Sequence, residues 1–100
     1  SRMMSMPGLF PLGHIVMTQG VKALIDDTQS PLTDADLLAL INRHRMGDDG
    51  DVCEDDAEAN QQAIKHDLRV FSVYKMATCK LWIITEADRS STTLLLPEEY

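Results

Sequence analysis

The densest group of side chains able to bind an ion lies between residues 48 and 58. It comprises seven carboxylates: Asp48, Asp49, Asp51, Glu54, Asp55, Asp56 and Glu58. Oxygen ligands at alternating positions are typical of calcium loops, but the EF-hand spacing fails because Cys53 takes the third ligand position and Glu54 replaces the required glycine. The simplest interpretation is helix capping, with Asp51 at the N-cap and Glu54 three residues later. A divalent-cation site and an acidic surface for a basic partner are the alternatives.

A second polar cluster lies in residues 85–93, where Glu86, Asp88 and Arg89 stand among several serine and threonine hydroxyl groups. Such a cluster has the chemistry to bind an anion, hold a metal ion or orient a polar substrate. The simpler interpretation is an ordinary turn in which Asp88 and Ser90 bond to nearby backbone. Arg89 would then form an exposed ion pair, which contributes about 0–1 kcal/mol to stability.

The two polar turns together define the candidate binding site. We expect Asp48, Asp51, Glu86, Asp88 and Arg89 to converge, with His44 nearby at the end of the preceding helix. No zinc-ligand spacing, nucleophile elbow, P-loop or dinucleotide-binding glycine pattern occurs in the chain. We therefore assign no catalytic residue, no metal ligand and no cofactor, and we expect the chain not to be an enzyme.

The N-terminal half is predicted to contain one strand and two helices. Residues 14–17 form a short strand, and Thr18 is a suitable N-cap for a helix with the apolar face Val21, Leu24 and Ile25. Ser30–Pro31 predicts the start of a second helix, which runs to about Met46 and stops at Gly47. Its inner face is predicted to be Leu37, Leu40, Ile41 and His44.

The C-terminal half is predicted to contain a third helix over residues 52–66 and strands over 68–76, 81–86 and 92–96. The fold class is therefore α+β: a short N-terminal strand, three helices, and a three-stranded antiparallel meander packed on the helices. We expect residues 1–8 to be disordered or an expression remnant, and residues 9–100 to form a single domain.

The middle strand of the meander has two apolar faces. Trp82 and Ile84 share one face with Glu86, whereas the other face carries Leu81, Ile83 and Thr85. One face is expected to pack on the helices and the other on a partner subunit, because a large exposed apolar face is unusual in a monomer. The pattern therefore predicts a homodimer.

The charge of the chain excludes some classes of partner. Among 100 residues, 16 are acidic and 9 are basic, and the whole net charge of −7 falls within residues 46–67. A protein that binds nucleic-acid backbone in general needs lysine and arginine to neutralise the phosphates. A protein that binds an anionic membrane surface needs basic residues for the same reason. We therefore expect neither partner. The two cysteines, Cys53 and Cys79, are interpreted as free thiols in a reducing cytoplasm.

The chain resembles a family of small bacterial proteins common on plasmids and other mobile elements. The resemblance rests on residues 10–16, on the run Gly47–Asp56 with Asn60, and above all on the segment Trp82–Tyr100. Members carry labels such as "plasmid-related protein" or "type I restriction subunit M", and the latter does not suit so short a chain. The chain departs from the family pattern at Asp49, where tryptophan is usual. The resemblance implies a cytoplasmic accessory protein without an established activity.

Three functions are consistent with these features. The leading hypothesis is a non-catalytic interaction module that binds a protein partner, including a second copy of itself. The first alternative is a small hydrolase or nuclease that uses carboxylates and a divalent ion. The second alternative is an acidic mimic of nucleic acid that blocks a host DNA-binding enzyme, although such a mimic requires charge spread over an extended surface.

Overall fold

The computed structural model describes residues 8–29 and 32–100, and within them the chain forms three α-helices and one four-stranded sheet. The elements are β1 (His14–Met17), α1 (Gln19–Asp26), α2 (Asp34–Arg45), α3 (Glu54–His66), β2 (Val70–Lys75), β3 (Lys80–Thr85) and β4 (Ser91–Leu95), followed by a 3-10 turn over Pro97–Glu99. The predicted α+β class is confirmed. The expectation for residues 1–8 concerns a segment that, except for Gly8, lies outside the described residues. None of the three helices has the length and apolarity to cross a membrane.

The sheet differs in detail from the predicted meander. Its strand order is β1-β4-β3-β2, and β1 joins it as a parallel neighbour of β4, with Ile15 opposite Thr92 and Val16 opposite Thr93. β2, β3 and β4 pair antiparallel in sequence order. The sheet is therefore mixed. A four-residue strand offers little pattern from which to predict its partner, because parallel pairing depends on the intervening chain returning across the sheet.

The starts of the first two helices are fixed by threonine caps. The Thr18 hydroxyl accepts a bond from the Val21 amide, as the sequence predicts. α2 begins at Asp34, where the Thr33 hydroxyl accepts from the Asp36 amide at 3.1 Å and the Asp36 carboxylate accepts from the Thr33 amide at 3.0 Å. The predicted start at Ser30–Pro31 falls on two positions outside the described residues. The capping box places the helix start three residues later.

The predicted start of α3 is wrong. Cys53 occupies the N-cap without a side-chain bond, whereas the Asp51 carboxylate accepts from the Lys75 amide at 3.0 Å. Asp51 thus stabilises a strand instead of a helix end. The acidic residues at the helix start are Glu54, Asp55 and Asp56, which lie in the first turn and complement the positive end of the helix dipole.

The core lies between the helices and one face of the sheet. Leu81, Ile83 and Thr85 of β3 are fully buried on this face, as predicted. The predicted apolar face of α2 is also confirmed, and it packs with Val21 of α1 against Tyr74 and Leu94. Gly47 has a φ of 85° just after α2, which confirms the predicted left-handed stop.

The outer edge of β2 is covered by the acidic turn 48–51. The Val73 amide donates to the Asp49 carbonyl at 3.1 Å, and the Asp51 amide donates to the Val73 carbonyl at 2.7 Å. Gly50, with a φ of 72°, lies so close that a Cβ on it would be 2.2 Å from the Val73 carbonyl oxygen. The buried Asn60 of α3 completes the cover, since its side chain bonds both the amide and the carbonyl of Phe71.

We predict that Asn60→Ala lowers the free energy of unfolding by about 1–3 kcal/mol, because it leaves two backbone groups of Phe71 without their partner at a partly buried site. Urea unfolding followed by circular dichroism measures the change. The matched control is Gln61→Ala, whose side chain is exposed on the same helix. Equal effects of the two substitutions would contradict the edge-covering role of Asn60.

Candidate binding site

His44 is the centre of a polar chain buried in the core. Its Nδ1 lies 2.6 Å from the Ser72 hydroxyl and its Nε2 lies 2.9 Å from the Thr85 hydroxyl. Thr85 is 2.6 Å from the Thr92 hydroxyl, which donates to the Leu12 carbonyl at 2.7 Å. All four side chains are at most 1% exposed. This row of hydrogen bonds therefore joins α2, all three antiparallel strands and the N-terminal segment.

Counting hydrogens along this row of hydrogen bonds fixes the tautomer of a neutral imidazole. Thr92 uses its hydrogen on the Leu12 carbonyl, so Thr85 must donate to Thr92. Thr85 then has only lone pairs for His44, whose Nε2 must carry the hydrogen. The neutral ring leaves Nδ1 as an acceptor for the Ser72 hydroxyl. The network is complete with a neutral His44 in the Nε2–H tautomer, and both ring nitrogens are occupied within the fold.

The surroundings of His44 also oppose its protonation. Burial, together with the nearby positive charge of Arg89, lowers the pKa of His44 from 6.5 to about 4. Phe10 stands against the ring edge-to-face, with centroids 5.3 Å apart. A proton on Nδ1 would require the Ser72 hydroxyl to rotate and accept. His44 is thus a structural residue of the core and offers no free atom to a ligand.

The side chain of Arg89 is buried, and its ion pair with the exposed Asp67 is long, at 3.9 Å. The side chain is 8% exposed, and its guanidinium donates to the Ala63 carbonyl at 2.9 Å and to the carbonyl of Leu68. These groups belong to the last turn of α3 and the segment that follows it, where backbone carbonyls lack helical partners. The guanidinium also lies 5.3 Å from the centroid of the Phe10 ring. Arg89 therefore holds the end of α3 against the 86–90 turn.

The carboxylates of the acidic turn have structural partners. Asp48 accepts from the Arg43 Nε at 2.7 Å, and this bond holds the pKa of Asp48 below its usual value. The Asp48 carbonyl accepts from the Tyr74 hydroxyl, and burial raises the pKa of Tyr74 to about 12. The side chain of Asp49 accepts from Asn60 at 3.1 Å. The turn is thereby held to α2, α3 and β2.

Glu86 and Asp88 lie in the hairpin turn between β3 and β4, and both are exposed. The Asp88 carboxylate accepts from the Ser90 amide at 3.0 Å, and its bonds to Ser90 lower the pKa of Asp88. Glu86 contributes its backbone: its amide donates to the Ser91 carbonyl and its carbonyl accepts from the Arg89 amide. This is the ordinary turn that the sequence offered as the simpler interpretation.

The structure brings together only part of the predicted site. His44 and Arg89 lie on either side of Phe10. In contrast, the acidic turn pairs with Val73 and Lys75, while the 86–90 turn extends past the other end of β2, where Val70 faces Thr85. Among the described residues, no hydrogen bond or ion pair joins the side chains of Asp48 or Asp51 to the 86–89 turn.

The described part of the chain holds no cluster of side chains arranged for a metal ion. In the described ranges, no group of three or more histidine, cysteine or carboxylate side chains has a geometry suited to a metal ion. Cys53 and Cys79 form no disulfide, in agreement with the prediction of free thiols, and burial raises the pKa of Cys79.

Several residues that organise this region were missed or undervalued in the sequence. Ser72, Phe10 and Tyr74 carry no chemical motif, and Asn60 stood out only through the family resemblance. One signal was available for Ser72: it is a polar residue at an inward position of an alternating strand, and such residues need a buried partner.

Comparison of the chain with protein-family models, with curated proteins and with solved structures gives no match.

We predict that wild-type stability depends on the neutral state of His44. Because the folded-state pKa lies below the ordinary 6.5, the unfolded chain takes up a proton between pH 6.5 and 4 that the folded chain does not. The contribution of His44 to the free energy of unfolding therefore falls by about 3 kcal/mol as the pH decreases across this range. The difference in unfolding free energy between the wild type and His44→Phe, measured at each pH, should shrink by that amount.

Heteronuclear NMR of the wild type provides a second measurement and needs no variant. The ring of His44 should show the Nε2–H tautomer at neutral pH and should not titrate above pH 5. The exposed His66 offers the control substitution His66→Asn. An Nδ1–H tautomer would refute the network as described.

Arg89→Lys should lower the free energy of unfolding by about 1–3 kcal/mol, because a single ammonium group cannot bond both carbonyls that the planar guanidinium joins. The same substitution at the half-exposed Arg43, which pairs with Asp48, is the matched control and should cost less than about 1 kcal/mol. Chemical denaturation measures both. If Arg43→Lys lowered the free energy of unfolding more than Arg89→Lys, the structural role assigned to Arg89 would be contradicted.

Proposed function

We propose that the chain is a non-catalytic protein-interaction module, which binds a protein partner, including a second copy of itself, along the outer edge of β1. One observation carries this proposal: β1 is an exposed edge strand made of uncharged residues. An edge strand presents a row of backbone donors and acceptors, and proteins normally block it with lysine, proline, a bulge or a covering segment. The strand His14–Met17 has no such protection in its own sequence.

The register of β1 leaves two residues with their backbone groups directed outward. The His14 amide donates to the Ser90 carbonyl and the Thr18 amide donates to the Leu94 carbonyl, each at 3.0 Å. Alternate residues of a strand bond to opposite sides, so the amide and carbonyl groups of Ile15 and Met17 point away from β4. A strand added antiparallel at this edge would receive up to four backbone bonds.

An apolar groove beside this edge supplies side-chain contacts. It has a volume of about 300 Å³ and is lined by Ile15, Met17, Asp34, Leu37, Leu38, Ile41 and Leu94. Leu38 on α2 is 61% exposed, and the apolar residues of β1 are 43–53% exposed. Backbone bonds provide affinity in strand addition, while pockets for alternate side chains provide specificity.

The opposite edge of the sheet strengthens this argument. The edge of β2 is covered by the turn 48–51 and by Asn60, so its backbone groups are occupied within the fold. Within residues 8–29 and 32–100, the sheet thus has one covered edge and one open edge. That difference is what we expect when one edge is reserved for a partner.

The remaining features of the proposal come from the sequence. The resemblance to mobile-element proteins and the free cysteines support a cytoplasmic accessory protein. The hydrolase hypothesis receives less support, because Asp48, Asp49 and Asp51 are engaged with Arg43, Asn60 and Lys75. The exposed carboxylates at the start of α3 are the features that still support the nucleic-acid mimic hypothesis. They cover only a short stretch of surface, whereas a mimic requires an extended one.

We predict that Ile15→Lys weakens self-association at least about tenfold, because Ile15 lines the apolar groove and the added strand would bury the new charge there. Sedimentation velocity over a range of protein concentrations measures the association. Hydrogen exchange should show that the amides of Ile15 and Met17 become protected as the wild type associates. The fold should tolerate the change within about 0.5 kcal/mol, because Ile15 is half-exposed.

Leu68→Lys is the matched control, since Leu68 is equally exposed and lies outside β1. It should leave the sedimentation profile unchanged. A wild type that stays monomeric at all concentrations would remove self-association from the proposal. Unprotected amides at Ile15 and Met17 in an associated sample would show that the contact lies elsewhere.

A further inference from the structure

A second surface lies on the sheet face that points away from the helices, and we call it the open sheet face. Val70, Ser72 and Tyr74 of β2 are buried on the helix side, so alternation directs the intervening residues outward. The strand register extends this face across the sheet. Its residues are His14, Val16, Phe71, Val73, Lys75, Lys80, Trp82, Ile84, Ser91, Thr93 and Leu95. Ile84 and Leu95 are buried on this face.

The open sheet face carries a connected group of aromatic rings. Phe71 and Trp82 meet edge-to-face with centroids 4.9 Å apart, and Trp82 and Tyr100 lie 5.5 Å apart. The guanidinium of Arg69 is 5.1 Å from the Tyr100 ring centroid. These four side chains line a groove of about 370 Å³, and Tyr100 is 70% exposed. Planar groups thus surround a space of a size suited to a planar ligand.

The charge on the open sheet face is opposite in sign to that of the whole chain. Its strand positions include two lysines and no carboxylate, although the chain has a net charge of −7. Lys75 and Lys80 stand directly opposite each other in the β2–β3 register, and like charges in that position are destabilising. Arg69, just before β2, adds a third cation at the other end of the strand, where the exposed Glu86 follows β3 on the same face. An anionic ligand would offset this repulsion.

Two further carboxylates, Glu98 and Glu99, lie at the boundary of the positive region. Glu98 lies near Cys79, whose pKa it helps to raise, at the end of the sheet where Lys80 begins β3. Glu99 is tied to the Thr18 hydroxyl and the Gly20 amide, which draws its charge toward α1. The aromatic groove and its cations therefore face solvent together.

We propose that the open sheet face binds single-stranded nucleic acid. Trp82 and Tyr100 would stack on bases, while Arg69, Lys75 and Lys80 would meet the phosphates. The distance along β2 from residue 69 to residue 75 is about 20 Å at the usual strand rise, which accommodates a few nucleotides. Base stacking on aromatic side chains with flanking cations is sequence-tolerant, so the proposal requires no base-reading side chain.

This surface is independent of the proposed function, which uses the edge of β1. It also revises the expectation that the chain avoids nucleic-acid backbone, because that expectation used the charge of the whole chain. The acidic residues that dominate the net charge of the chain lie on the turn 48–51 and on α3, while the open sheet face is positive. An acidic peptide would satisfy the cations but would leave the aromatic groove without a planar partner. Nucleic acid satisfies both.

Trp82 is the only tryptophan in the chain, so its fluorescence reports directly on this surface. We expect an oligothymidylate of about eight nucleotides to quench Trp82 at low salt, and binding to weaken as the salt concentration rises. A duplex of matched length and an oligoglutamate should both bind at least about tenfold more weakly. Equal binding by the duplex, or stronger binding by oligoglutamate, would overturn the proposal in favour of a simple electrostatic or acidic-peptide surface.

Variants separate the two kinds of contact. Tyr100→Ala should weaken binding about tenfold, and Tyr100→Phe should retain it, because only the former removes the ring. Lys75→Gln with Lys80→Gln should reduce the dependence of log K on log salt by about 1.4. The matched control, Lys22→Gln with Lys65→Gln, makes the same charge change on α1 and α3 and should leave binding unchanged. No quenching by the oligonucleotide, or equal loss in the control, would refute the proposal.

Discussion

The fold depends on burying an imidazole whose two ring nitrogens are both satisfied by buried hydroxyl groups. His44 sits at the crossing of α2 with β2 and β3, and its ring nitrogens bond Ser72 and Thr85. The row of hydrogen bonds ends at the Leu12 carbonyl, which can only accept, so the hydrogens of Thr92, Thr85 and the His44 Nε2 each have one direction. A buried polar network stabilises a fold when all its members are satisfied and destabilises it when one is missing. The positions of the N-terminal segment, α2 and three strands are thus coupled through one set of bonds.

The carboxylates of the acidic turn form bonds that stabilise the fold itself. Asp49 and Asp51 cover the edge of β2 through backbone and side-chain bonds, and Asp48 joins the same turn to Arg43. Gly50 permits the close approach, because its backbone conformation and the nearby Val73 carbonyl leave no room for a Cβ. A local excess of carboxylates is therefore weak support for a ligand site until their partners are known.

Local patterns predicted most of the elements, whereas contacts distant in sequence were not predictable. The apolar faces of α1 and α2 and the stop at Gly47 follow from the spacing of residues within one segment. The cap of α3 was mispredicted because Asp51 is used by Lys75, 24 residues away. For the same reason, Arg89 looked like a surface charge, although its guanidinium closes the end of α3 across 26 residues. A side chain's partner in a polar turn is set by tertiary packing, which residue type and spacing do not encode.

The arrangement of the strands makes the two proposed surfaces compatible. β1 and β2 lie at opposite ends of the sheet, so the spacing of strands places the aromatic groove about 10–15 Å from the open edge. A partner on β1 would therefore leave the open sheet face accessible. If two copies pair antiparallel along β1, the two-fold axis runs perpendicular to the sheet and both open sheet faces point to the same side. Two weak sites held rigidly on one continuous surface would engage a single strand with higher avidity than either site alone. Self-association through the uncharged edge would then set the affinity of the positive face, although the backbone groups and groove that bind the partner belong to Ile15 and Met17, which are not part of the open sheet face.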